Sequence, residues 1–302
     1  MGSIIDDIST AKKNADAIIL AHLYVDGEVQ DIADYCGDSY YLSQMAEKSP
    51  CKTILFCGVR FMAESAKILS PEKTVLMADT SADCPMAHMV SEEQIREMRK
   101  AHDDLCVVCY INSTTEVKAL SDVCVTSSNA KTVISKIQNK NILFIPDKNL
   151  GSFLAPSFPD KNFYYVDGCC PIHDKMNMND ILNLKARHPS ARIATHPECP
   201  ASIVAISDYV GSTTGILKYA HECPSKELII CTEIGVRHRL LRENPDKVFF
   251  FPTTNPICND MKKINLENVL YALIHQDDPI EVPEEIRLRA KGCLEKMHQL
   301  GG

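Results

Sequence analysis

The segment Ile32-Ala33-Asp34-Tyr35-Cys36-Gly37-Asp38-Ser39 returns twice in altered form, as Leu120-Ser121-Asp122-Val123-Cys124-Val125-Thr126-Ser127 and as Ile206-Ser207-Asp208-Tyr209-Val210-Gly211-Ser212-Thr213. Asp34, Asp122 and Asp208 are separated by steps of 88 and 86 residues, and each closes a helix-like segment. A period of this size marks a repeated supersecondary unit.

Other landmarks keep the same register. Apolar, strand-like runs end at His22, Tyr110 and His196, twelve residues before each aspartate, and Tyr24, Asn112 and Glu198 follow two residues later. Five residues after the aspartates stand three hydroxyls, Ser39, Ser127 and Thr213. Further apolar runs end near Cys57, Ile145 and Cys231, and a last run in each unit (TVLMAD, NFYYVD, KVFFFP) precedes Cys84, Cys170 and Cys258. Short β-rich runs alternate with helical patterns such as VQDIADY, SYYLSQMAEK and NAKTVISKI, which reads as βαβ units on parallel sheets. The expected fold is α/β: three similar αβα domains, each with a roughly four-stranded parallel sheet, in pseudo-threefold arrangement around a central metal site. The boundaries expected are 1–100, 101–187 and 188–302, the last carrying a helical tail. Ligands of such sheets gather at the carboxyl ends of strands, where these polar residues fall.

Bulk properties narrow the function. With 302 residues and 45% hydrophobic content the chain can bury a sizeable core. No run approaches the roughly 18 apolar residues of a membrane span, and Met1 to Ser9 lacks the basic-then-apolar pattern of a signal peptide, so a cytoplasmic location is expected. A net charge of -8 disfavours nucleic acid as a main partner and leaves small molecules as the expected ligands. Fourteen cysteines in a reducing compartment do not read as a disulfide framework.

Three cysteines in register, with no fourth equivalent, suit a metal site with one open position: zinc, or an iron-sulfur cluster held by three thiolates. Register favours Cys170 over its neighbour Cys169 and sets Cys84 and Cys170 apart from Cys199 and Cys223, which are also followed by proline. The remaining cysteines, among them Cys36, Cys51, Cys57, Cys106, Cys109, Cys124, Cys231 and Cys293, read as small apolar residues. Helix starts bearing the three hydroxyls would favour a ligand with several negative charges. No G-x-x-x-x-G-K-[ST] or G-x-G-x-x-G motif follows a strand, so a nucleotide cofactor is unsupported.

Taken together, the segments AHLY, DIADYCGDS, GVRFMAESAKIL, ADCPMA, YINSTTEVKALSDVCVTSSNA, PDKNLG, GCCPIH, HPEC, DYVGSTTG, TEIGV and CNDMKKINLENVLYAL resemble the quinolinate synthase (NadA) family over nearly the whole length. The resemblance implies one 4Fe-4S cluster on Cys84, Cys170 and Cys258. It also implies condensation of iminoaspartate with dihydroxyacetone phosphate to quinolinate in de novo NAD biosynthesis, with L-aspartate oxidase or aspartate dehydrogenase as source of the imine. Substrate contacts are implied for His22, Ser39, Tyr110, Ile111, Asn112, Ser127, His196, Pro197, Glu198 and Thr213, and catalytic roles for Tyr24, His173, His196 and Glu198. The family's more usual residue before the central ligand is not cysteine, so Cys169 is a departure, and the closely spaced C-terminal thiols of some relatives are absent. Two other readings are a different iron-sulfur hydratase or dehydratase and a non-enzymatic iron-sulfur sensor.

Overall fold

A computed structural model describes residues 3–253 and 256–301. Among these, twelve strands form three four-stranded sheets, parallel throughout. The first holds β1 (Ala17–His22), β2 (Tyr35–Gly37), β3 (Thr53–Cys57) and β4 (Thr74–Met77) in the order β2-β1-β3-β4. The second holds β5 (Leu105–Tyr110), β6 (Val123–Val125), β7 (Asn141–Ile145) and β8 (Asn162–Tyr165) in the order β6-β5-β7-β8. The third repeats it with β9 (Arg192–Thr195), β10 (Tyr209–Val210), β11 (Glu227–Cys231) and β12 (Val248–Phe250), as β10-β9-β11-β12.

The expected α/β architecture of three alike units is therefore present. β1, β3 and β5 are buried along their whole length, which is why they read as unbroken apolar runs rather than alternating ones. In every sheet the chain leaves the first strand toward one edge and then continues on the other side, so the strand order reverses between the first and third strands. The crevice at such a reversal is where ligands of open parallel sheets bind.

The repeated aspartates have one shared task. Asp34, Asp122 and Asp208 each donate their backbone N–H to the carbonyl fifteen residues earlier, on Ile19, Val107 and Ile193, at 2.9, 3.0 and 2.9 Å. Their carboxylates accept the N–H of those same residues at 2.8, 2.7 and 2.8 Å. A cation closes each site, Lys12, Arg99 and Arg192 respectively. The pair of bonds pins the start of the second strand onto the first. It also ends the preceding helix early: the helical pattern read through Tyr35 stops at Ile32, and Tyr35 already belongs to β2. Lys73, Lys161 and Lys247, again 88 and 86 residues apart, each hold carbonyls at or just beyond a helix end. Replacing Asp122 with alanine should strand the N–H of fully buried Val107, and a loss of about 1–3 kcal/mol in urea unfolding is expected. An unchanged midpoint would show that the anchor is dispensable.

The units are not packed alike. One continuous apolar core runs through the first and second sheets and takes in Val269 and Leu273 of the helix Leu266–His275 and Leu294 and Met297 of the helix Glu284–Gly301. The chain's last helix lies against β6 and the helices Arg60–Leu69 and Thr115–Ala119, away from the sheet that precedes it in sequence. The third sheet has a separate cluster on each face, Leu228 and Ile230 on one side, Ile229 and Cys231 on the other. Ile181 and Leu184 of the helix Met178–Arg187 belong to the second of these clusters. Among the described residues no helix is long and apolar enough to cross a membrane.

Candidate active site

The three sheets send the ends of their first and second strands to one cavity of about 280 Å³. His22 and Tyr24 come from the first, Tyr110, Asn112 and Ser127 from the second, His196, Glu198 and Thr213 from the third. Ser39, Cys84, Cys170, His173 and Cys258 complete the gathering. Of the residues singled out in the sequence, Ile111 and Pro197 do not line the cavity, and the Ile111 side chain packs in the apolar core. Both are buried links between lining residues.

Glu198 is the hub. Its Oε2 lies 2.7 Å from His173 Nδ1 and 3.5 Å from His196 Nδ1, and all three side chains are almost wholly buried. Burial opposes the Glu198 charge, but the neighbouring His196 and His173, with hydrogen bonds from His173 and Tyr110, outweigh it and hold the carboxyl at about 2. Burial lowers His196 to about 3 and His22 to about 4, which leaves both rings neutral at pH 7. Burial raises the Tyr24 and Tyr110 phenols well above their usual range, with Glu198 adding to the effect. His196 Nε2 meets Ser127 Oγ at 3.2 Å, and its ring stacks on that of His173 with centroids 4.7 Å apart.

The hydroxyls prove to be free of helix duty. Asp38 caps the helix Ser39–Lys48 and Ser212 caps the helix Thr213–Glu222, so Ser39 and Thr213 stand one place inside and line the cavity. Asn112 Oδ1 is buried with no partner, an acceptor that a bound ligand's donor would satisfy.

Cys84, Cys170 and Cys258 line the same cavity, and Cys169 is not among its walls. Cys169 instead neighbours Asp174 and Lys148. Each of the three cavity cysteines has its backbone N–H bound by a carboxylate: Asp83 at 2.7 Å, Asp147 at 2.9 Å and Glu233 at 3.1 Å. Burial raises all three thiols, Cys84 to about 12. Cys57, Cys106, Cys109, Cys124, Cys199, Cys223, Cys231 and Cys293 are buried, as expected of small apolar residues, and Cys36 and Cys51 are half-buried. Cys170, His173 and Glu198 also present donor atoms within 4.8 Å of one another.

Several residues of the site escaped the sequence reading. Asp147 and Glu233 stand two places after β7 and β11, 86 residues apart, so the repeat itself could have revealed them. Val59 occupies the equivalent place in the first unit, and Asp83, adjacent to Cys84, takes over the bond there. Asp38 joins all three units: its Oδ2 accepts from Ser128 Oγ at 3.0 Å and from Thr214 Oγ1 at 2.7 Å, between this cavity and an outer cleft that shares Asp38 and Ser128. Thr232, fully buried, lies between Tyr24 and His173.

Comparison with known proteins points to one family. The profile described as "Quinolinate synthetase A protein" matches residues 6–299. A quinolinate synthase of Clostridioides difficile (strain 630) is 48% identical, covering 97% of this chain and 96% of that protein. Relatives bearing the same name from Clostridium perfringens (strain 13 / Type A), 46% identical, and Fusobacterium nucleatum subsp. nucleatum, 48% identical, each cover 98% of this chain and 99% of their own.

Proposed function

We propose, for a chain that belongs to the quinolinate synthetase A family, that it condenses iminoaspartate with dihydroxyacetone phosphate to give quinolinate, releasing phosphate and water in the de novo route to NAD. The observation that carries this reading is the meeting of three thiols, from three repeats, in one cavity that also holds hydroxyls from all three. The donor set fits a cluster: three soft ligands and no fourth cysteine on the cavity wall among the described residues. Cys84, Cys170 and Cys258 would hold a 4Fe-4S cluster. When bound, it supplies a Lewis acid that polarises a substrate oxygen and eases loss of hydroxide.

The remaining work falls to side chains. Both substrates are anionic, and Ser39, Ser127 and Thr213 offer hydroxyl donors to carboxylate and phosphate oxygens. Neutral His22 and His196 can donate a hydrogen bond without adding charge. Glu198, ionised and buried beside His173, can take a proton from the reacting carbon framework, while Tyr24, which stays protonated, can return one. Small-molecule substrates, a cytoplasmic setting and supply of the imine by an aspartate-oxidising enzyme all follow from this reading.

The test is direct. Protein purified without oxygen, given dihydroxyacetone phosphate and freshly generated iminoaspartate, is expected to form quinolinate, measured by liquid chromatography. Iron and sulfide assays establish beforehand that the cluster is loaded. A loaded protein that forms no quinolinate would refute the assignment.

A further inference from the structure

We propose that Thr232 is a positioning residue: one hydroxyl from the third sheet fixes Tyr24 of the first unit against His173 of the second. Its Oγ1 lies 2.9 Å from Tyr24 Oη and 2.9 Å from His173 Nε2. The side chain has no solvent exposure, and these are its side-chain partners among the described residues.

The contact is tied to the hub of the site. A carboxylate only accepts, so His173 Nδ1, 2.7 Å from Glu198, carries the hydrogen of that bond. Its Nε2 is left to Thr232, and Tyr24 Oη meets both Thr232 Oγ1 and Thr213 Oγ1 at 2.9 Å, with either oxygen able to donate in each pair. The phenol oxygen is thereby held between the two hydroxyls, and Thr232 sets its place relative to His173.

The repeat shows that the fold itself does not ask for a hydroxyl here. Thr232 follows the last residue of β11, and the matching places after β3 and β7 hold Gly58 and Pro146. Neither can donate from a side chain. The third unit alone carries the group at this register, where residues from the other two units come within its reach.

The activity arm of the test rests on the synthase reading, and a second arm does not. Thr232→Val keeps the shape and removes the hydroxyl, and kcat is expected to fall about 10- to 100-fold with KM within about twofold, as for a misplaced reacting group. Iron and sulfide content should stay at the wild-type level. Thr232→Ser should recover kcat to within about threefold of wild type. In cluster-loaded protein labelled with tyrosine carrying carbon-13 at Cζ, the Tyr24 resonance, assigned through Tyr24→Phe, should shift in Thr232→Val and return in Thr232→Ser. Should the valine variant not fold, Thr232→Ala serves the same comparison. Wild-type kcat with an unmoved Tyr24 resonance in the variant lacking the hydroxyl would overturn the proposal, as would a serine variant as impaired as valine. If wild-type protein makes no quinolinate, the synthase reading fails while the tyrosine resonance still decides the role of Thr232.

Discussion

Cys170→Ser is expected to abolish both the cluster and quinolinate formation, while Cys169→Ser leaves both near the wild-type level. Adjacent residues on an extended backbone face opposite ways, and the structure separates this pair accordingly. Cys170 lines the cavity, its N–H held by Asp147 and its Sγ 3.2 Å from His173 Nδ1. Cys169 sits beside Asp174 and Lys148, off the cavity wall. A serine hydroxyl is a harder and poorer ligand for cluster iron than a thiolate. Iron and sulfide counts, the visible absorption of the anaerobic protein and product formation together check the prediction. Loss of the cluster in Cys169→Ser and its retention in Cys170→Ser would show that the wrong thiol has been placed in the site.

Glu198→Gln should leave the cluster in place and lower kcat by about 10²–10⁴-fold, the range for losing a positioned acid-base group. The amide keeps the size of the side chain but not the charge that receives hydrogen bonds from His173 and Tyr110. One face of the glutamine would also present N–H groups to the His173 donor that already points inward, so that ring loses its fixed orientation, while His196 keeps its bonds to the Glu198 backbone N–H and to Ser127. Turnover of iron-matched preparations is the measurement. Near wild-type kcat would remove Glu198 from the chemistry and leave it as an ion-pair partner.

Much of this arrangement was legible in the sequence because the chain states it three times. The steps of 88 and 86 residues located the ends of the long strands, the three hydroxyls and the cavity cysteines. The fourth strand of each sheet was foreseen in number but not in place. β2, β6 and β10 have only two or three residues, too few to show a period, and their position is set by the aspartate anchor. Asp147 and Glu233 were missed for another reason: the first unit breaks the pattern with Val59 and recovers the carboxylate from Asp83. Thr232 was invisible because its partners lie 208 and 59 residues away and the other repeats have no counterpart. The return of the final helix to the first two sheets likewise depends on contacts that no local pattern encodes.

The unequal sharing of core gives the molecule a natural line of parting. Two sheets are welded through common oil, and the third is buttressed by clusters that reach the first unit at Leu23, so a swing of that third body would give up the Leu23 contact and leave the shared core intact. Asp38 sits on that line as a latch: such a swing would release Thr214 and leave Ser128 in its grip, freeing a lone pair of Oδ2 at the threshold of the reaction chamber while Oδ1 stays on the Tyr41 N–H. The ion pairs on the same seam, Asp31 with His238 and Arg242 and Asp26 with Lys262, have exposed carboxylates, so opening there would strand no buried charge pair, which suits a chamber that must admit anions and then shut out water.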